Sequence, residues 1–104
     1  MIDINKIREY YENDMVLFSN HALERLRQRG IKQKDIRNCI MTGEIIEQYP
    51  DDFPFPSCLI YGMDANGTII HVVASDEGTA SRIITAYYPN TEKFENDLKT
   101  RKER

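Results

Sequence analysis

The hydrophobic pattern of this chain changes period once, at Gly43, and that change constrains the fold more than any other feature. Before Gly43 the apolar residues recur at helical spacing. Residues 2–13 carry Ile2, Ile4, Ile7, Tyr10 and Tyr11 among charges and suit a first helix. Ser19 is placed to cap a helix over 20–29, and Gly30 to stop it. A third helix is expected over 33–42, with Ile36, Cys39 and Ile40 inward and Gly43 as its end. After Gly43 the chain is built from short β-branched runs at 44–49, 57–65, 68–75 and 81–88. The 50–56 stretch, with three prolines, reads as a loop without a ladder. Asn66-Gly67 signals a two-residue hairpin, which would set Gly62 opposite His71 and Ile60 opposite Val73. Thr91 can cap a short C-terminal helix with Phe94 and Leu98 inward. Met15-Val16-Leu17-Phe18 is apolar and fits either type.

Helices followed by strands imply an α+β fold: N-terminal helices, a mostly antiparallel four-stranded sheet and a short C-terminal helix. The helices should cover one sheet face. Leu59, Tyr61, Met63, Ile70, Val72, Ala74, Ile84 and Ala86 form the expected core side. Ile60, Gly62, His71, Val73, Thr85 and Tyr87 form the other, with Thr85 beside His71. The 104 residues make one domain, 1–104, and 40% hydrophobic content is enough for it to fold. No apolar run is long enough to span a membrane, and the first residues lack the apolar stretch of a secretory signal, so a cytoplasmic location is expected.

The formal charge of −3 argues against a generic nucleic-acid binder, but its distribution is uneven. Residues 1–43 hold eight basic and six acidic side chains, and residues 44–104 hold six and eleven. Arg25, Arg27, Arg29, Lys32, Lys34 and Arg37 concentrate in 21–37, and Lys99, Arg101, Lys102 and Arg104 close the chain. Such a patch suits a polyanion, or simply a solvated helix face. Cys39 and Cys58 form no CxxC pair and read as free core cysteines rather than a disulfide. With two histidines a Cys/His metal site is not expected, and no motif for a cofactor is present.

Two groups of residues can carry chemistry. His21, Arg25 and Arg29 fall within about 80° of one another on the helical wheel and border the buried face. They can converge on one anion, because arginine offers a fork of donors that fits phosphate; the alternative is pairing with strand carboxylates such as Glu44 and Glu47. Lys32 extends this set. On the sheet, His71 can work from an open face, or can rest on bare backbone as a structural residue. Arg82 could add a phosphate donor, and Tyr87 could orient a substrate or anchor the sheet edge.

The run Phe18-Ser19-Asn20-His21-Ala22-Leu23-Glu24-Arg25-Leu26-Arg27-Gln28-Arg29-Gly30-Ile31 resembles the opening signature of a small bacterial domain family of unknown function. The likeness continues through Gly43-Glu44-Ile45-Ile46-Glu47, Tyr49-Pro50-Asp51-Asp52, Pro56-Ser57-Cys58-Leu59-Ile60, His71-Val72-Val73 and Ile84-Thr85-Ala86-Tyr87-Tyr88-Pro89. It covers 18–89 and leaves 1–17 as an N-terminal helical extension and 90–104 as a C-terminal helix and tail. That family is similar to a distant branch of the RelE/ParE toxins, near the BrnT and MqsR types. The resemblance implies a RelE-like fold and the toxin of a toxin–antitoxin pair that cleaves RNA, alone or on the ribosome, without a metal. It also implies a cognate antitoxin of zinc-finger or helix-turn-helix type. In such an enzyme His21 or His71 would be base or acid, Arg25, Arg29 and Arg82 would stabilise charge, and Tyr87 would orient the RNA. A non-catalytic protein-binding module, or a gyrase-type inhibitor, is the other reading. A homodimer through an exposed strand or through 15–18 is compatible with both.

Overall fold

The computed structural model describes residues 1–103. Its elements run α1 (Ile4–Glu12), β1 (Val16–Phe18), α2 (Asn20–Gln28), α3 (Gln33–Thr42), β2 (Glu44–Tyr49), β3 (Ser57–Met63), β4 (Ile69–Asp76) and β5 (Ser81–Tyr87). The α+β class and the three N-terminal helices agree with the sequence reading. The sheet has five strands rather than four, in the order β1-β5-β4-β3-β2. Met15–Phe18 decides the difference: Val16–Phe18 pairs in parallel with Ser81–Ile83, so the sheet is mixed. The expected C-terminal helix does not form. Residues 90–103 make an irregular strap with one antiparallel bridge, Phe94 to Arg101. Asp97 diverts the chain from a helix because its carboxylate accepts from the Lys99 and Thr100 N–H groups, at 2.9 Å each.

Local signals place the helices where they were expected. Ser19 Oγ accepts from Ala22 N at 3.0 Å, and Gly30 takes the left-handed conformation with φ +68°. Arg8 reaches from α1 to the end of α3, where it donates to the Ile40 and Gly43 carbonyls at 2.9 and 2.8 Å and satisfies groups that a helix end leaves open. Asp35, buried at the start of α3, accepts from its own N-cap, Lys32 N, and from Ala65 N beyond β3. Gln48 on β2 clasps Ile2 N and O and so covers one edge of the sheet.

The hairpin register corrects the sequence reading. Asp64 N donates to Thr68 O and Gly67 N to Asp64 O, a three-residue connection with Gly67 at φ +85°. Tyr61 therefore opposes His71, and Gly62 opposes Ile70. A one-residue slip turns a strand over. Cys58, Ile60 and Gly62 face the helices, whereas Leu59 and Tyr61 share the face of His71. A bulge in β5 places Ile83 in the core and leaves Ile84 44% exposed, the reverse of expectation. The same register puts Tyr87, rather than Thr85, opposite His71.

The core joins Ile7, Leu26, Ile36, Cys39, Ile40, Ile60, Ile70, Val72 and Ile83. Both cysteines are free and buried, and burial pushes each thiol up to about 12, so neither is a thiolate at neutral pH. Among the described residues no helix is long and apolar enough to cross a membrane.

Asp64 holds the β3–β4 turn. Its carboxylate accepts from Asn66 N, Thr68 N and Tyr88 Oη, and these bonds hold its pKa below the ordinary value. A carboxylate lowered on folding adds stability above its unfolded pKa and loses it as pH falls through the folded value. Thermal melts of wild type and Asp64→Asn should therefore differ at neutral pH and converge as the pH drops below the ordinary aspartate range. Equal melting temperatures at neutral pH would remove Asp64 from this role.

Candidate functional site

The sheet face away from the helices carries a row of aromatic and titratable side chains. Pairing across β3, β4 and β5 aligns Tyr61, His71 and Tyr87, with Glu44 opposite Tyr61 on β2. The C-terminal strap crosses this row. Phe94 stands edge-on to the His71 ring at 4.7 Å and 90°, and His71 is fully buried. Two ion pairs bridge the strap to β2. Lys99 meets Glu44 at 3.3 Å, and Arg101 forks onto Glu47 at 3.0 and 3.2 Å. Lys99 also lies 4.7 Å from the Tyr61 ring centre, and Arg101 4.8 Å from that of Phe94. Glu44 and Glu47 thus pair with the chain end, not with the arginines of α2.

The hydrogen bonds of His71 define one tautomer. Nε2 lies 2.7 Å from the Leu98 carbonyl, which can only accept, so Nε2 carries the proton. Nδ1 is then a free lone pair, and the Tyr87 hydroxyl donates to it at 3.3 Å. Burial pushes the imidazole pKa down against the Leu98 bond and the Glu47 charge, so the ring is neutral at pH 7. Burial likewise raises the Tyr87 hydroxyl, although Arg101 opposes it. Burial pushes Glu47 up, but hydrogen bonds from Arg101 and Tyr49 outweigh it and leave the carboxylate below its ordinary value.

Beside this dyad opens a cleft of about 350 Å³, lined by Arg29, Tyr87, Tyr88, Asn90, Lys93 and Arg101 among others. Three cations and two phenols around one cavity suit an anion with a protic group. Arg29 is held there from α2, its guanidinium donating to Thr85 Oγ1 at 3.0 Å and to Ala86 O at 2.8 Å. Those bonds cap β5 where β1 has ended.

Of the residues singled out from sequence, Arg29, Tyr87 and His71 come together here. His21 and Arg25 are exposed on α2, and their side chains make no hydrogen bond or ion pair among the described residues. Lys32 lies at the start of α3, beside a different, apolar cleft. Arg82 pairs with Glu77 at 2.7 Å, next to the Phe53–Phe55 loop. Lys93, Asn90, Phe94 and the Leu98 carbonyl escaped the sequence reading, because a helix was expected where the strap runs. The basic run at Lys99 and Arg101 was the one available hint.

With this geometry in hand, the chain can be placed among known proteins. It is an α+β domain, and the stretch that matches a known family runs from the last residue of β1 to just past β5. The chain belongs to the family described as Domain of unknown function (DUF4258), whose profile matches residues 18–88. No curated protein and no solved structure matches the chain.

Proposed function

We propose that this protein is a metal-independent endoribonuclease of RelE/ParE-like toxin type, acting on RNA, free or on the ribosome, and held in check by a cognate antitoxin protein. The observation that carries the reading is the His71–Tyr87 dyad, whose free Nδ1 faces the phenol at the wall of a cleft bearing Arg29, Lys93 and Arg101. His71 is buried and acts through Tyr87. The RNA 2′-hydroxyl passes its proton to the Tyr87 oxygen as the Tyr87 proton moves to Nδ1. The 2′-oxygen attacks the adjacent phosphorus, and the dianionic phosphorane draws on the three cations. The P–O5′ bond breaks, and the 5′-oxygen regains a proton by the reverse path. The products are a 2′,3′-cyclic phosphate and a 5′-hydroxyl. Glu47, close enough to favour the charged imidazole, and the Leu98 carbonyl support the transient imidazolium. His21, Arg25 and Lys32 would track the RNA backbone outside the cleft, while Arg82 is engaged elsewhere.

The test is cleavage of RNA by purified protein, with and without translating ribosomes, with end-group mapping. Wild type should leave cyclic phosphate ends, and Tyr87→Phe should cut ~10²-fold more slowly. Equal cleavage by Tyr87→Phe would sink the mechanism. Absence of cleavage in both settings would favour the second reading, a non-catalytic module or gyrase-type inhibitor that binds protein. That reading has its own support. Phe53 is 95% exposed, and with Phe55, Ile84 and Leu17 it adds apolar surface to a net acidic chain.

A further inference from the structure

The dyad depends on residues outside the family domain. The family match ends at residue 88, yet the group that holds the His71 proton is the carbonyl of Leu98. That carbonyl is presented by a turn with an unusual backbone. Leu98 sits at φ +57°, a conformation disfavoured for a branched L residue, so something must hold it there. Asp97 does so. Its Oδ1 accepts from Lys99 N and Thr100 N at 2.9 Å each, and its Oδ2 accepts from Thr100 Oγ1 at 2.8 Å. A further bond, Leu98 N to Glu95 O at 2.9 Å, closes the turn from the other side. The Asp97 carboxylate is exposed, and its hydrogen bonds, like the Lys99 charge that acts on it, all lie within its own turn.

We infer that Asp97 is a positioning residue: by holding the 97–100 turn it sets the Leu98 carbonyl on His71 Nε2, which leaves Nδ1 free to take a proton from Tyr87. The arrangement serves a proton relay in which a backbone carbonyl, delivered by a chain-terminal strap, does what a buried carboxylate does behind many catalytic histidines. Its purpose rests on the proposed RNA chemistry; its geometry does not. It also assigns the strap a role beyond covering the sheet, since within the family domain the ring faces Tyr61, Tyr87 and, at longer range, Glu47, none of which meets Nε2.

The test reads the imidazole directly. In ¹⁵N spectra of wild type, His71 should show a protonated Nε2 with a slowly exchanging proton, an unprotonated Nδ1, and a titration midpoint below that of ordinary histidine. The titratable groups around the ring are Glu47, Arg101 and the two tyrosines, with Lys99 standing over Tyr61. Asp97→Ala should lose the Nε2 proton to solvent exchange and move the midpoint back up, because releasing the 97–100 turn opens the Nε2 side of the ring to water. Asp97→Asn keeps an oxygen for both N–H groups and should retain the wild-type signature. Thr100→Ala, which removes one of the three bonds, should fall between. Melting temperatures of all four proteins report whether the domain is intact. A proton on Nδ1 in wild type would overturn the inference, as would an Asp97→Ala spectrum matching wild type, or equal loss in Asp97→Asn and Asp97→Ala. The predicted signature in a protein that cleaves no RNA would leave the positioning role standing and remove the nuclease reading alone.

Discussion

Gly62→Val should lower the melting temperature by roughly 12 °C or more, the equivalent of about 3 kcal/mol in a domain of this size. Gly62 lies on β3 where α3 crosses it. A Cβ there would meet Cys39 O at 2.6 Å, Cys39 Sγ at 2.9 Å and Cys39 Cα at 3.0 Å. Two of these three atoms are backbone of a helix that cannot shift without disturbing Ile36 and Ile40, both fully buried. Cys39 has little room of its own, since its thiol lies between the Ile60 and Ile70 carbonyls at 3.9 and 3.7 Å. Gly43 closes the same crossing, where a Cβ would stand 2.3 Å from Tyr61 O. Alanine at either position should already be costly. Gly30→Ala is the control. Nothing lies within 4 Å of its Cβ, so only the φ of +68° opposes it, at about 1 kcal/mol. Denaturation curves of these four variants rank the effects. If Gly62→Val melted near wild type, α3 would not sit on β3 as described.

The second large effect falls on the strap. Phe94→Ala should raise the population of the detached strap by about a hundredfold or more, because truncating a buried phenylalanine costs roughly 3 kcal/mol. Phe94 is 2% exposed and covers the His71 ring, whereas the Lys99–Glu44 and Arg101–Glu47 pairs are partly in water. Such exposed pairs give about 0.2–1 kcal/mol each, so Phe94, not the ion pairs, holds the strap down. Two measurements follow from this ranking. Hydrogen exchange over residues 93–102, where Lys102 N bonds Lys93 O and Glu95 N bonds Thr100 O, should accelerate sharply in Phe94→Ala. Raising salt should do far less to wild type. A salt effect as large as that of the substitution would reverse the ranking. The core between helices and sheet should keep most of its stability, because it is assembled from residues that Phe94 does not join.

Much of this was legible because the signals are local. Ser19 and Gly30 bracket α2 by capping chemistry that operates within one turn. The helices-then-strands order sets the class through the period change at Gly43. The site was half legible. His71, Tyr87 and Arg29 were singled out by residue type and spacing, and they meet. His21, Arg25 and Arg82 carried the same chemical credentials and lie elsewhere, because residue type says what a group can do and not what it will face. The register of β3 escaped because Asn66-Gly67 fits two hairpin geometries. Asp64, by accepting from Asn66 N and Thr68 N, stabilises the longer one and turns Tyr61 to the side of His71.

The strap escaped for a related reason. Phe94 and Leu98 have helical spacing, but Asp97 offers the backbone a competing set of bonds, and the helix loses. What this sequence determined by itself was its three N-terminal helices, the number of later strands, its punctuation and its family, all encoded over a few neighbouring residues or one continuous pattern. Tertiary structure alone decided that Val16–Phe18 would extend the sheet in parallel, that Arg101 would lie on Glu47, and that a carbonyl ten residues beyond the family domain would hold the proton of His71. Those outcomes depend on which surfaces meet once the strands have paired, and pairing joins residues that sequence separates.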